Sequence, residues 1–192
     1  MDGLFVKIRW ILKDPSDFFM KLYQESHIRD SAMYLMIMIF LSSLLNYVLS
    51  LSSDASLGLF RKWFYLNLPL VGSGPVKLAI LGLIYIICLI ILSYIAAFLL
   101  QCWLYIFGVR ASYTQSYQLL AYALTPTYIL GWTNQWVSFL TWIWVFALLV
   151  IGSRNMFSIS RKKAWLMFTL PALFVVVAIV LILVWIAQRF LA

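Results

Sequence analysis

From Ala111 to Ser153 the chain runs 43 residues without an Asp, Glu, Lys, Arg or His. A helix needs about 20 predominantly apolar residues to cross the hydrocarbon of a bilayer, so this block is long enough for two crossings. Three further charge-free stretches flank it: Ser31–Ser53, Leu78–Val109 and Ala164–Gln188. Soluble domains are about 25% charged, whereas this chain is 10% charged and 65% hydrophobic, with a mean hydropathy of +0.99. A folded core cannot hide that much apolar surface, because a chain of about 150 residues still exposes roughly 30% of its unfolded area. Disorder requires the opposite composition. The sequence therefore predicts an all-α, polytopic transmembrane bundle in a single domain.

Local punctuation divides the apolar stretches into five spans, at about 31–52, 75–107, 113–132, 136–152 and 162–188. Thr133-Asn134-Gln135 is the turn inside the long block, making spans three and four an antiparallel hairpin. Ser112-x-x-Gln115 has the spacing of a capping box at the start of span three. Gly152 suits the end of span four. Pro75, after Gly72-Ser73-Gly74, opens span two and Gly108 marks its exit. Pro126 removes the amide that would bond the carbonyl of Tyr122, and Pro171 is expected to loosen span five.

Lys and Arg near the span ends set orientation. Ten lie on one side: Lys7, Arg9, Lys13, Lys21 and Arg29 before span one, Arg110 after span two, and Arg154, Arg161, Lys162 and Lys163 after span four. Four lie on the other: Arg61, Lys62, Lys77 and Arg189. This places the N-terminus in the cytoplasm and the C-terminus across the membrane. No cleavable signal peptide is visible, since Lys7 and Arg9 interrupt the first apolar run. The opposite-side stretch Leu57–Tyr65 is rich in aromatics, as at a membrane interface.

Residues 1–30 read as a cytoplasmic amphipathic segment and 31–192 as the transmembrane domain. Asp14-Pro15-Ser16-Asp17 is a helix start, with Asp14 the cap and Pro15 the first helical residue. Phe18, Phe19, Leu22 and Tyr23 then form an apolar face. Such a helix is expected to lie in the headgroup layer, the alternative being a cap packed on the bundle.

Chemistry is sparse. Asp, Glu, Lys, Arg and His are absent from all four charge-free stretches, which removes from membrane depth the groups that proton pumps and ion-coupled carriers use there. The lone histidine, His27, precedes span one. No metal-ligand cluster, nucleophile motif or cofactor site is found, and the expected protein is not an enzyme and carries no cofactor. Cys88 and Cys102, about 21 Å apart along one helix, read as two buried membrane thiols. The most polar intramembrane face is on span three, where Gln118, Tyr122 and Thr125 share a helical stripe beside Pro126. It either lines a small polar cavity or bonds to neighbouring helices; Asn46 and Tyr47 on span one and Gln101 on span two are the expected partners. Ser93 with Ala97, and Ala121 with Thr125, have the spacing of close helix contacts. The basic charge, net +8, suits anionic lipid headgroups rather than nucleic acid, with Arg154, Arg161, Lys162 and Lys163 the expected lipid contacts.

Three ordered elements resemble the Yip1 family of five-span membrane proteins: Asp14-Pro15-Ser16-Asp17-Phe18-Phe19; Gly108 to Tyr117 leading into Ala121-Tyr122-Ala123-Leu124-Thr125-Pro126, similar to an A-Y-x-x-x-P core; and Gly152 followed by Ser160-Arg161-Lys162-Lys163-Ala164. The resemblance implies a cytosolic N-terminus and five spans. Eukaryotic members act in early secretory membranes, bind Rab-type GTPases and affect membrane shape and vesicle formation. They carry a longer N-terminal region with a D-L-Y-G-P element, which is not found here. The short form resembles prokaryotic members, implying a prokaryotic plasma membrane.

Two functions are expected from this reading. The first is a non-catalytic membrane protein that organises lipid or partner proteins, as a membrane-shaping adaptor. The second is a passive channel or facilitator for a small solute or ion along the Gln118/Tyr122/Thr125 face. Homo-oligomerisation fits either.

Overall fold

A computed structural model describes residues 3–22, 27–52 and 75–191, and the regular structure among them is entirely helical. The helices are α1 (Leu4–Lys13), α2 (Pro15–Leu22), α3 (Ile28–Ser52), α4 (Pro75–Ile106), α5 (Tyr113–Ala123), α6 (Thr125–Leu130), α7 (Gln135–Phe157) and α8 (Arg161–Leu191). The 57–65 element and Gly72-Ser73-Gly74 lie outside the described residues.

Among the described residues three stretches are long and apolar enough to cross a membrane: Ile28–Leu45, Gly82–Ile106 and Trp136–Phe157. The stretch in α4 is apolar on every side, yet only 11% of it is buried. Leu83, Ile87, Ile91, Leu92, Phe98 and Leu99 all face outward. A helix that is apolar all round belongs in a core or in lipid; with so little protein around it, α4 belongs in lipid.

The third expected span differs from a single helix. It is two short ones, α5 and α6, separated at Leu124. Neither has the length to cross alone. The break follows from Pro126, which has no amide to continue the ladder. A broken helix is tolerated at membrane depth only where protein covers it. Accordingly α5 is the most enclosed element, packed between α3, α4 and α7, with Ser116 through Leu119 and Ala121 through Ala123 buried.

The local signals position the remaining ends. Ser112 caps α5 by accepting from the Gln115 amide at 3.2 Å, while Gln115 Oε1 accepts from the Ser112 amide at 3.0 Å, a complete capping box. Asn134 caps α7 through the Val137 amide at 2.8 Å. Asp14 caps α2 through the Asp17 amide at 3.2 Å. Pro75 begins α4, and Gly108 leaves it with φ of 70°. Gly152 does not end α7. The helix continues to Phe157 and stops at Ser158, which takes the left-handed conformation with φ 52°. Pro171 lies within α8 without ending it.

Cys88 and Cys102 are free and exposed on the outer surface of α4, not buried in the bundle. Ser93 and Ala97 face the other way, buried against α3 and α5.

Candidate functional site

The stripe on α5 is buried in protein. Gln118, Tyr122 and Thr125 are all 0% exposed, and Pro126 is buried beside them. Thr125 Oγ1 donates to the carbonyl of Tyr122 at 2.7 Å. This is the carbonyl that Pro126, four residues on, leaves without its amide. Because the Thr125 proton is committed there, the 2.8 Å contact between Tyr34 and Thr125 has the Tyr34 hydroxyl as donor. A chain of hydrogen bonds therefore runs from α3 to the break in α5, each bond polarising the next.

The Tyr122 ring is enclosed by aromatics. Phe18 meets it edge-on with centroids 5.0 Å apart, and Tyr34 lies 4.8 Å away. The Tyr122 hydroxyl accepts from Lys7 Nζ at 3.2 Å, and the same ammonium lies 5.5 Å from the ring centroid. The A-Y-x-x-x-P and D-P-x-x-F-F elements, about a hundred residues apart in sequence, thus meet at one contact. The sequence carried no sign that Lys7 would be the cation there.

Phe18, Phe19 and Leu22 are the buried face of α2, each no more than 3% exposed. This face packs on the bundle, and it is not the surface available to a headgroup layer. The reason is steric fit. At Gly152 an added Cβ would collide with Leu119 Cδ1 and lie 3.1 Å from the Phe19 ring. The missing side chain is what lets α2 lie against α7. Asn155 Nδ2 holds the same contact by donating to the Ser16 carbonyl at 3.1 Å. The apolar residues left outward on α1 and α2 are Phe5 (82% exposed), Val6, Leu12 and Met20, with Arg9, Lys13 and Lys21 among them. Lys21 pairs with Asp17 at 3.0 Å and lies over Trp10 at 4.6 Å.

Gln101 does not join the α5 stripe. Its Nε2 donates to the Ala111 carbonyl at 3.3 Å, holding the turn after α4. The backbone of Asn46 and Tyr47 is in α3, but their side chains lie outside the described residues. Trp103, which the sequence did not single out, donates its indole N–H to the Met167 carbonyl at 2.9 Å. Met167 is four residues before Pro171, so its carbonyl too has lost an amide partner. The spacing to Pro171 marks Met167 as the carbonyl that needs a donor, but nothing in the sequence marks Trp103, 64 residues away, as the group that supplies it.

Arg154 lies in the last turn of α7, and Arg161, Lys162 and Lys163 form the first turn of α8, which Ser160 caps through the Lys163 amide at 3.3 Å. All four are exposed. Among the described residues, neither these four nor Arg110 has an acidic partner within 4.0 Å. The turns carrying Arg110 and residues 155–159 lie on one cavity with Met20 of α2, so three basic segments are gathered at the same end of the bundle.

A family model described as the Yip1 domain matches residues 11–184, nearly the whole chain. Neither a curated protein nor a solved structure matches it.

Proposed function

Because the chain belongs to the Yip1 family and is an integral membrane protein, we propose that it is a five-span, non-catalytic organiser of anionic lipid and of partner proteins at the cytoplasmic face of a prokaryotic plasma membrane, with its C-terminus on the opposite side. The observation that carries this reading is the placement of Arg161, Lys162 and Lys163. They occupy the first turn of α8, where no acidic residue accompanies them. A helix N-terminus is its positive end, and cations there cost about 0.3–1 kcal/mol each at exposed positions. Three cations held at an unfavourable helix end need an anion from outside the chain, and an anionic leaflet supplies one at about 1 kcal/mol per Lys or Arg near its surface.

The outward residues of α1 and α2 support the same reading. Phe5 and Val6 beside Arg9 and Lys13 give a mixed apolar and basic face suited to the headgroup boundary. Membrane wedging then falls to this face, while Phe18 and Phe19 hold the wedge to the bundle. The channel alternative lacks a comparable observation, since Tyr122 and Thr125 are in mutual contact with Tyr34, Phe18 and Lys7.

The test is to replace Arg161, Lys162 and Lys163 by glutamate and measure binding of reconstituted protein to phosphatidylglycerol against phosphatidylcholine. The reading expects a weakened preference for the anionic lipid; an unchanged preference would overturn it.

A further inference from the structure

A cavity of about 540 Å³ opens at the basic end of the bundle. Its walls come from three places far apart in the chain: Met20 on α2, the 108–110 turn with Gln115, and residues 155–159 closing α7. Two backbone reversals shape it, Gly108 at φ 70° and Ser158 at φ 52°. The capping box and the Asn155–Ser16 bond hold those walls in place.

The lining has two characters. Arg110 brings a guanidinium with no acidic partner among the described residues. Gln115 has its oxygen engaged by the Ser112 amide, so the group it can offer a ligand is the Nε2 donor. Both favour an anion. Met20, Val109 and Met156 bring an apolar surface to the same space, the last two buried. The volume lies within the roughly 300–1,000 Å³ of small-molecule sites, far more than a bare phosphate fills. A ligand matching this lining is anionic at one end and apolar at the other. Guanidinium recognition of phosphate oxygens by paired N–H donors supplies the polar half.

We propose that this cavity is a discrete site for one anionic phospholipid, with its phosphodiester on Arg110 and the Gln115 amide, and its glycerol and upper acyl carbons against Met20, Val109 and Met156. The site rests on the reading above that this end of the bundle meets an anionic leaflet. It differs in being saturable and in not depending on the first turn of α8.

Native mass spectrometry of the full chain, stripped of co-purified lipid and titrated with phosphatidylglycerol, reads the site directly. Wild type retains one lipid more tightly than the rest. Arg110→Gln removes the fork, and Met20→Trp fills the cavity from an exposed wall position that burdens no buried packing. Each lowers occupancy by that lipid about tenfold, with the unfolding temperature recorded for both. Glutamate at positions 161–163 leaves the tight lipid and sheds the looser ones. Wild-type retention in a folded Arg110→Gln or Met20→Trp variant overturns the site, even where the α8 reversal behaves as proposed. Equal retention of phosphatidylcholine overturns it as an anion site. Displacement of the lipid by millimolar inorganic phosphate shows that free phosphate is the ligand, and overturns the lipid. Loss of the tight lipid together with the loose ones on α8 reversal merges the two sites and also overturns it.

Discussion

Two prolines each remove one backbone donor, and each loss is met by a side chain. The Tyr122 carbonyl, released by Pro126, takes the Thr125 hydroxyl at 2.7 Å; the Met167 carbonyl, released by Pro171, takes the Trp103 indole at 2.9 Å. In hydrocarbon no water can substitute, so an orphaned carbonyl costs its full desolvation. Thr125→Val is expected to destabilise by about 1–3 kcal/mol, since the buried Tyr34 hydroxyl loses its acceptor and the Tyr122 carbonyl loses the hydroxyl that bonds it. Trp103→Phe is expected to cost about 1–2 kcal/mol on the same ground. Denaturant unfolding in detergent micelles measures both. The decisive comparison is Trp103→Phe in a Pro171→Ala background. Alanine returns the missing amide to the α8 ladder, so the Trp103 change should cost less there; an equal cost would mean that the indole acts by packing alone. The break at Pro126 was legible in the sequence because proline acts on its own helix. The rescue by Trp103 was not, because it crosses from α4 to α8.

At the scale of elements the same division holds. The ends of α2, α5 and α7 were readable from Asp14, Ser112 with Gln115, and Asn134, since a cap and its amide lie within three residues. Gly152 looked like a helix end because glycine favours ends. Its actual use, as a gap for the Phe19 ring and the Leu119 side chain, depends on a residue more than a hundred positions away. In sequence Lys7 offers only a charge for orientation, and its bond to Tyr122 spans a comparable distance. Gly152→Val follows directly from the close approach. The added carbons must displace Phe19, with a cost of about 1–3 kcal/mol typical of overpacking, and α2 should lift from α7. Limited trypsin digestion reports this as faster cleavage at Lys13 and Lys21; cleavage at the wild-type rate would show that the contact yields without undocking. Reversal of Arg161, Lys162 and Lys163 to glutamate should act in the other direction on stability. Acids replace cations at the positive end of α8, so the unfolding free energy rises by about 0.3–1 kcal/mol per residue while lipid preference falls. A loss of stability would instead mark these residues as part of the folded framework.

For the whole molecule, the basic cavity constrains how many times the chain crosses. Gln115 near the start of α5 and residues 155–159 at the end of α7 line one cavity, so the chain leaves and returns to the same end between them. The stretch Trp136–Phe157 in α7 has the length and hydropathy of a crossing. On the five-span reading proposed above, α5 and α6 together carry the chain across before α7 brings it back. Their 18 residues from Tyr113 to Leu130 rise about 27 Å at helical pitch, close to the hydrocarbon thickness of about 30 Å. The enclosure of α5 by α3, α4 and α7 would let such a crossing be broken at Leu124 without exposing its backbone to lipid. The same reading takes α3 and α4 as the first two crossings and α8 as the fifth. A reporter fused before Met1 should therefore be found on the basic side and one fused after Ala192 across the membrane, with a third at Ser158 sharing the compartment of the first. Reporters at Met1 and Ser158 in opposite compartments would mean that α5 and α6 do not cross as one unit. Reporters at Ser158 and Ala192 in the same compartment would mean that α8 turns back before it reaches the far side.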